Sequence, residues 1–202
     1  MTTTEMFGVP FYYGDFNAED ISLDYKLDTK WRSETPSSFN VVNTLDKTSA
    51  EKLLKEISNY TNTVIRVPHR LRLQECWRNE YGYRDQQEVH LHAHSHFSFT
   101  IFKDIPKDCG NIVFFHPAKD LMYNFEEKDM LIQEISPQPK PNKLLIWPSF
   151  IKHMVTPNNN KTEKRVTYSG NVWIERFEQN ENNKLWDKSI RKSDKRTSIK
   201  QT

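Results

Sequence analysis

The feature that most constrains the fold is a series of eight short apolar or alternating segments after residue 65, most of them separated by turn residues. Segments of this length and pattern are typical of β-strands. They read RVPHRLRLQECWRNEY, VHLHAH, FSFTIF, NIVFF, MLIQEI, KLLIWPS, HMVT and RVTYSGNVWI. So many short strands favour a β-sandwich or a β-barrel.

One helix is predicted before the strands, from about residue 48 to residue 60. Thr48 and Glu51 have the spacing of a capping box, in which the two side chains bond each other's backbone N–H groups. The apolar positions that follow share one helical face. They are Leu53, Leu54, Ile57 and Tyr60. We expect this helix to pack on the outside of the sheets.

The first strand segment alternates between polar and apolar residues, which predicts that its odd positions share one face. Those positions are Leu71, Leu73, Trp77, Asn79 and Tyr81.

Length and charge indicate one domain followed by a basic tail. The chain has 202 residues, enough for a single domain with a hydrophobic core. Residues 184–202 contain seven Lys or Arg and two Asp, a charge of +5, whereas the whole chain carries +2, so the preceding residues carry −3. We expect one domain at 1–180 and a flexible tail at 181–202. The mildly acidic body disfavours nucleic acid as a partner.

No sequence feature directs the chain to a membrane. No apolar run approaches the roughly 18 residues that a membrane helix needs, and the N-terminus lacks the pattern of a secretory signal. Cys76 and Cys109 are not part of a CxxC motif, which favours free thiols in a reducing compartment. We therefore expect no membrane partner and a cytoplasmic location, in the host cell if the protein is viral.

Four of the seven histidines occupy alternate positions in HLHAHSHFSF, residues 90–99. A straight strand through this stretch would be unusually long, so we expect a bend or turn near residues 93–96. His90 and His92 would then lie on one strand with both imidazoles on the same side, where they could bind one metal ion. Histidines on a solvent-exposed polar face are the alternative interpretation.

A third histidine and an arginine could complete a metal site that binds an anion. His153 follows a hydrophobic segment, KLLIWPS. In the next segment, Arg165, Thr167 and Ser169 share one strand face. A guanidinium beside hydroxyl groups suits a carboxylate ligand, because it can donate two parallel hydrogen bonds. The alternative is an ordinary surface charge on a strand.

The order of these features resembles the Fe(II)- and 2-oxoglutarate-dependent oxygenases. Within them the pattern is most similar to a subgroup common in phages and marine bacteria, often described as prolyl-4-hydroxylase-like. The resemblance covers about residues 70–173 and does not cover the tail. The matching residues are Trp77 and Asn79, His90 and His92, Ser98 and Phe99, Pro148 and Ser149, His153 and Val155, and Arg165 with Thr167.

The resemblance implies a fold and a set of site residues. The fold would be mainly β with an N-terminal helix, namely a double-stranded β-helix, which is the cupin-like jelly roll. The implied Fe(II) ligands are His90, His92 and His153. Arg165 would bind the distal carboxylate of 2-oxoglutarate, helped by Thr167 or Ser169. Further candidates for the wall of the cosubstrate pocket are Asn79, Tyr81 and Ser98.

The implied activity is a hydroxylase that uses Fe(II), 2-oxoglutarate and O2. It would couple the decarboxylation of 2-oxoglutarate to succinate with oxidation of an unidentified substrate, for which we favour a peptide side chain or a small molecule. The better-known members have H-x-D, whereas this chain has His92 in the second position. Glu88 is an alternative second ligand, because it also lies two positions from His90.

Two other functions compete with this interpretation. One is a three-histidine, cupin-type metal dioxygenase that does not use 2-oxoglutarate and would not need Arg165 near the metal. The other is a non-catalytic viral β-sandwich or binding protein, in which the histidines are incidental.

Overall fold

The computed structural model describes residues 8–39, 44–119 and 132–176. The predicted tail at 181–202 and the domain boundary near residue 180 lie outside these ranges, so both stay predictions. The strand predicted in MLIQEI is described only from residue 132 onward, where Glu134–Ile135 is a short strand. Within the described residues no helix combines the length and the apolar character that crossing a membrane requires.

The predicted helix is present as α1, Lys47–Val64, but the predicted capping box is wrong. The N-cap is Asp46, whose carboxylate accepts a hydrogen bond from the Ser49 N–H at 3.1 Å. A carboxylate at this position satisfies a backbone donor that the first turn would otherwise leave unpaired.

The largest sheet has seven antiparallel strands in the order β1-β11-β8-β13-β6-β4-β3. Its strands are β1 Tyr12–Asp15, β3 Thr29–Lys30, β4 Pro36–Ser37, β6 His69–Tyr81, β8 Phe97–Asp104, β11 Lys143–Pro148 and β13 Arg165–Arg176. One face of this sheet packs against α1 through a cluster of buried apolar side chains. The helix therefore lies outside the sheets, as predicted.

A second sheet has four antiparallel strands in the order β10-β9-β12-β7. Its strands are β7 Gln87–His90, β9 Ile112–Phe115, β10 Glu134–Ile135 and β12 His153–Val155. Apolar side chains from β8, β9 and β11 form a second cluster between this sheet and the seven-stranded one. A two-stranded sheet, β2 Leu23–Asp24 with β5 Thr44–Leu45, completes the described strands. The prediction of a mainly β fold with one early helix is confirmed.

A β-bulge in β6 makes one predicted strand face wrong. Along β13, Asn171 pairs with Glu75 and the next residue pairs with Leu73, so Gln74 is the extra residue. An extra residue reverses which positions face which side. Leu71 and Leu73 therefore pack on the α1 side, together with Cys76. The later odd positions line a pocket on the opposite face, and they are Trp77, Asn79 and Tyr81.

The predicted turn after the first histidines is present. Strand β7 ends at His90 and β8 begins at Phe97, so the chain turns through residues 91–96. His92 lies just beyond the end of β7 instead of within it, and its backbone N–H donates to the Ser149 carbonyl at 3.0 Å.

Candidate metal centre

Three histidines meet at one end of the four-stranded sheet. His90 and His153 are register partners on the adjacent strands β7 and β12, and His92 follows two residues after His90. Their ring centroids are 4.2 Å apart for His90–His153 and 5.2 Å apart for each of the other two pairs. One nitrogen from each ring lies within 4.8 Å of the other two, an arrangement that could hold a metal ion.

Backbone carbonyls fix the orientation of two of the rings. His90 Nδ1 is 2.8 Å from the Glu88 carbonyl oxygen, and His153 Nδ1 is 2.9 Å from the Ile151 carbonyl oxygen. A carbonyl only accepts, so Nδ1 carries the proton in both rings. The lone pair then lies on Nε2, the tautomer that metal-binding histidines commonly adopt.

Burial keeps the three imidazoles neutral. It lowers the pKa of His92 to about 3, with a smaller contribution from the neighbouring His90. Burial likewise lowers the pKa of His90, and it lowers the pKa of His153 well below its ordinary value with help from the two other histidines. Neutral imidazole is the form that binds a metal.

Each of the three histidines packs against its own tryptophan. Trp31 stacks on His90 with centroids 6.0 Å apart, and Trp77 stacks on His92 at 5.9 Å. Trp147 lies edge-on to His153 at 5.0 Å. The indoles cover part of each imidazole and restrict how the rings can turn, while His90 and His92 stay partly exposed and His153 is buried.

Arg165 is buried in the same pocket without a counter-ion. Its side chain is 1% exposed, and its Nε and Nη1 have no hydrogen-bond partner among the described residues. The guanidinium lies 4.8 Å from the ring centroid of Tyr81 and 5.5 Å from that of Phe102. Aromatic faces attract a cation without accepting ordinary hydrogen bonds, so the Nε and Nη1 donors remain available to a ligand.

The pocket brings together nearly all of the predicted site residues. Its lining consists of Trp77, Asn79, Tyr81, Gln87, His90, His92, Phe99, Thr100, Ile112, Trp147, His153, Val155, Arg165, Thr167 and Ser169. Strands β6, β8, β11 and β13 of the larger sheet and β7, β9 and β12 of the smaller sheet all contribute to it. This lining contains no Asp or Glu, so none of the described residues around the pocket supplies a carboxylate to balance the charge of Arg165.

Ser98 is the predicted residue that the structure places elsewhere. It is fully buried, and its hydroxyl lies 2.8 Å from both the Ser149 Oγ and the Asn171 Oδ1. It is absent from the pocket lining. The β8 residues that do line the pocket are Phe99 and Thr100.

Glu88 lies outside the histidine cluster. Among the described residues, the group that could hold a metal comprises only the three histidines. Glu88 instead lines a neighbouring groove with Trp31 and His90. The geometry therefore favours His92 over Glu88 as the second ligand.

Sequence reasoning missed two residues that support the site. The indole of Trp31 donates to the Asn79 Oδ1 at 3.0 Å and also stacks on His90. Gln87 accepts a hydrogen bond from the Tyr81 hydroxyl at 3.1 Å, and its Nε2 is 3.3 Å from the His90 Nε2. Gln87 could have been suggested by its closeness to His90 in the sequence, whereas Trp31 is far from every motif and gave no signal.

Comparison with known proteins agrees with this architecture. A sequence profile of the family described as "Putative 2OG-Fe(II) oxygenase" matches residues 75–171, which include every proposed site residue. None of the curated proteins matches the sequence.

Three of the solved structures that are similar to this chain share little sequence with it. A Pseudomonas putida prolyl-4-hydroxylase has 11% identity and a TM-score of 0.50, over 84% of this chain and 94% of that one. A 2OG-Fe(II) oxygenase family oxidoreductase from Burkholderia pseudomallei has 13% identity and a TM-score of 0.48, over 79% and 71%. A viral collagen prolyl hydroxylase from Paramecium Bursaria Chlorella virus-1 has 10% identity and a TM-score of 0.48, over 71% and 80%.

The likeness to the Pseudomonas putida structure concerns the fold, and it agrees with the predicted double-stranded β-helix, or jelly roll. The profile match concerns the family. The matched segment runs from the β6 bulge to the middle of β13 and contains the three histidines and Arg165. The profile match covers just under half of the chain, and it makes residues 75–171 similar to the Fe(II)- and 2-oxoglutarate-dependent oxygenases, enzymes that use Fe(II), 2-oxoglutarate and O2.

Proposed function

We propose that the pocket is the active site and that Arg165 binds the distal carboxylate of 2-oxoglutarate there. The proposed Fe(II) ligands are His90, His92 and His153. His90 and His153 would bind through Nε2, and His92 would bind through its unprotonated ring nitrogen. The observation that carries the proposal is a buried guanidinium in the same pocket as three neutral imidazoles, with two nitrogens that lack a partner and no Asp or Glu among the described lining residues.

The positive charge in the pocket favours a ligand with two negative charges. An unpaired buried charge is strongly unfavourable, because desolvation costs several kcal/mol that no partner offsets. Fe(II) held by three neutral imidazoles would add two more positive charges to the pocket. A dianion such as 2-oxoglutarate could lie between the metal and Arg165 and offset most of this charge.

Two hydroxyl groups on β13 suit the same carboxylate. Thr167 and Ser169 line the pocket on the face that carries Arg165. The Ser169 Oγ is 2.7 Å from the Thr100 Oγ1, and this contact can fix the direction in which the Ser169 hydroxyl donates. A guanidinium and a hydroxyl together satisfy more carboxylate lone pairs than either does alone.

We further propose that the enzyme is a hydroxylase acting on a peptide side chain or a small molecule. When bound, Fe(II) supplies the activation of O2 that accompanies decarboxylation of 2-oxoglutarate to succinate. The protein's residues bind and orient the metal and the cosubstrate, and the indoles limit how the histidine rings can turn. The fold shared with a prolyl-4-hydroxylase supports the reaction class, and the two free cysteines support a reducing compartment such as the cytoplasm.

Arg165→Ala tests the proposal. The Fe(II)-loaded protein is titrated with 2-oxoglutarate by calorimetry without O2, and succinate formation is measured after O2 is admitted. Loss of a buried charge pair is expected to weaken binding by about 2–5 kcal/mol, which is roughly 30-fold to several thousandfold. The matched control is Arg72→Ala, because Arg72 is exposed on the same sheet and pairs with Glu175.

An Arg165→Ala protein that binds 2-oxoglutarate as tightly as the unsubstituted protein would contradict the assignment. That result would favour the three-histidine, cupin-type alternative, in which 2-oxoglutarate has no role. The present geometry favours 2-oxoglutarate, because that alternative leaves the buried guanidinium with no ligand.

A further inference from the structure

Two tryptophan side chains in the pocket have N–H groups that find no partner in the part of the chain that the structure describes. Among the described residues, seven buried side-chain nitrogen or oxygen atoms lack a hydrogen-bond partner. Four of them belong to residues that line the pocket, and all four are donors. They are the Arg165 Nε and Nη1, the Trp77 Nε1 and the Trp147 Nε1.

Burial makes these indole donors informative. Trp77 and Trp147 are each 2% exposed, so bulk water does not reach them. Buried polar groups in proteins are nearly always hydrogen-bonded, and each exception calls for an explanation such as a ligand. Trp31 provides the contrast, because its indole N–H already donates to the Asn79 Oδ1 at 3.0 Å.

Each of the two indoles packs against one of the clustered histidines. Trp77 lies nearly parallel to His92, with an interplanar angle of 23°. Trp147 is edge-on to His153, with an interplanar angle of 72°. Both indoles therefore lie against a candidate metal ligand, with centroids 5.9 Å from His92 and 5.0 Å from His153.

We propose that Trp77 and Trp147 donate their indole N–H groups to oxygen atoms of the bound 2-oxo acid, an inference that rests on the function proposed above. In this arrangement Arg165 binds the distal carboxylate, and the two indoles bind oxygens of the end that approaches the metal. The two tryptophans thereby help to select an oxygen-rich dianion, because the pocket offers these donors and no competing carboxylate.

The competing account is that each indole donates to an aromatic ring. Phe39 lies edge-on to Trp77, and Phe114 lies edge-on to Trp147, each with centroids 5.0 Å apart. An N–H group over a ring face is a weak donor contact. It would be present whether or not 2-oxoglutarate is bound, and this difference separates the two accounts.

The test uses the full chain loaded with Zn(II), which is diamagnetic and does not react with O2. Indole ¹H–¹⁵N signals are assigned with Trp77→Phe and Trp147→Phe and followed while 2-oxoglutarate is added. The signals of Trp77 and Trp147 are expected to move downfield, as a new hydrogen bond to an anion requires. Calorimetry is expected to give about a tenfold loss of 2-oxoglutarate affinity in each variant.

Two controls exclude general damage. Trp173→Phe is expected to bind 2-oxoglutarate normally, because Trp173 packs on His96 away from the pocket. Zn(II) affinity is expected to stay unchanged in Trp77→Phe and Trp147→Phe, because phenylalanine keeps an aromatic ring beside each histidine.

The outcomes separate this inference from the proposed function. One outcome overturns the inference and leaves the proposed function standing. In that outcome the unsubstituted protein binds 2-oxoglutarate and Arg165→Ala does not, whereas the double variant of Trp77 and Trp147 binds within about twofold of the unsubstituted protein. Indole signals that stay fixed on titration also overturn the inference. If the unsubstituted protein fails to bind 2-oxoglutarate, the proposed function is overturned and the inference with it.

Discussion

The second metal ligand can be identified by replacing His92 and Glu88 separately. The structure groups His92 with His90 and His153 and leaves Glu88 outside the cluster. We expect His92→Ala to abolish tight metal binding and Glu88→Gln to leave it intact. His94→Ala is the matched control, because His94 lies in the same turn but outside the cluster.

The size of the effect follows from linkage between metal binding and folding. A metal at 100 times its Kd adds about 2.7 kcal/mol to the free energy of unfolding, which raises Tm by about 5–11 °C in a domain of this size. Loss of one of three ligands is expected to weaken binding by about 100-fold or more, since loss of a residue that only supports a ligand already weakens it by 10–100-fold. The same metal concentration then adds about 0.4 kcal/mol, or about 1–2 °C.

The assay is thermal unfolding monitored by tryptophan fluorescence, with and without Zn(II) at a fixed concentration. The unsubstituted protein, Glu88→Gln and His94→Ala are expected to give the full increase in Tm, whereas His92→Ala gives almost none. The reasoning is refuted if Glu88→Gln loses the increase and His92→Ala keeps it. That result would mean that β7 adjusts when metal binds and that Glu88 takes the position assigned to His92.

Two further predictions concern the supporting structure. Asp46→Ala is expected to lower the free energy of unfolding by about 1 kcal/mol in urea titrations, because the helix loses its N-cap, and Thr48→Ala is expected to have little effect. If Thr48→Ala lowered the free energy of unfolding by the same amount, that result would support the predicted capping box instead. Ser98→Ala is expected to lower the free energy of unfolding by about 1–3 kcal/mol without changing 2-oxoglutarate affinity in calorimetry, because its hydroxyl bonds buried groups outside the pocket. A large loss of cosubstrate affinity in this variant would instead place Ser98 at the pocket.

The sequence was sufficient to predict which residues cluster, because the motifs lie on strands whose neighbours a jelly roll determines. His90 and His153 are far apart in the chain but adjacent in the sheet, and Arg165 begins a strand whose alternate residues enter the same pocket. Period-two alternation was enough to place Thr167 and Ser169 beside Arg165, because β13 is regular over that stretch.

Other parts of the site depended on contacts that leave no local pattern. Trp31 reaches His90 and Asn79 only because the β3–β4 hairpin pairs with β6. Ser98 lies on the same strand as the pocket residue Thr100, yet hydrogen bonds to two buried side chains hold it outside the lining. Alternation predicts the face of a side chain but not which of the neighbours on that face it meets.

The β6 bulge at Gln74 explains how one strand contributes to both the helix-facing core and the proposed active site. In a regular strand, Trp77 and Asn79 would share the face of Leu73 and pack toward α1. The positions facing the pocket would then be Arg78 and Glu80, which in the structure form an ion pair at 2.9 Å away from it. A carboxylate would enter the pocket, offset the charge of the metal and of the buried guanidinium, and compete with a dianionic cosubstrate. By adding one residue, the bulge keeps acids of β6 out of the pocket and places donors there, which is the property on which the proposed binding of 2-oxoglutarate depends.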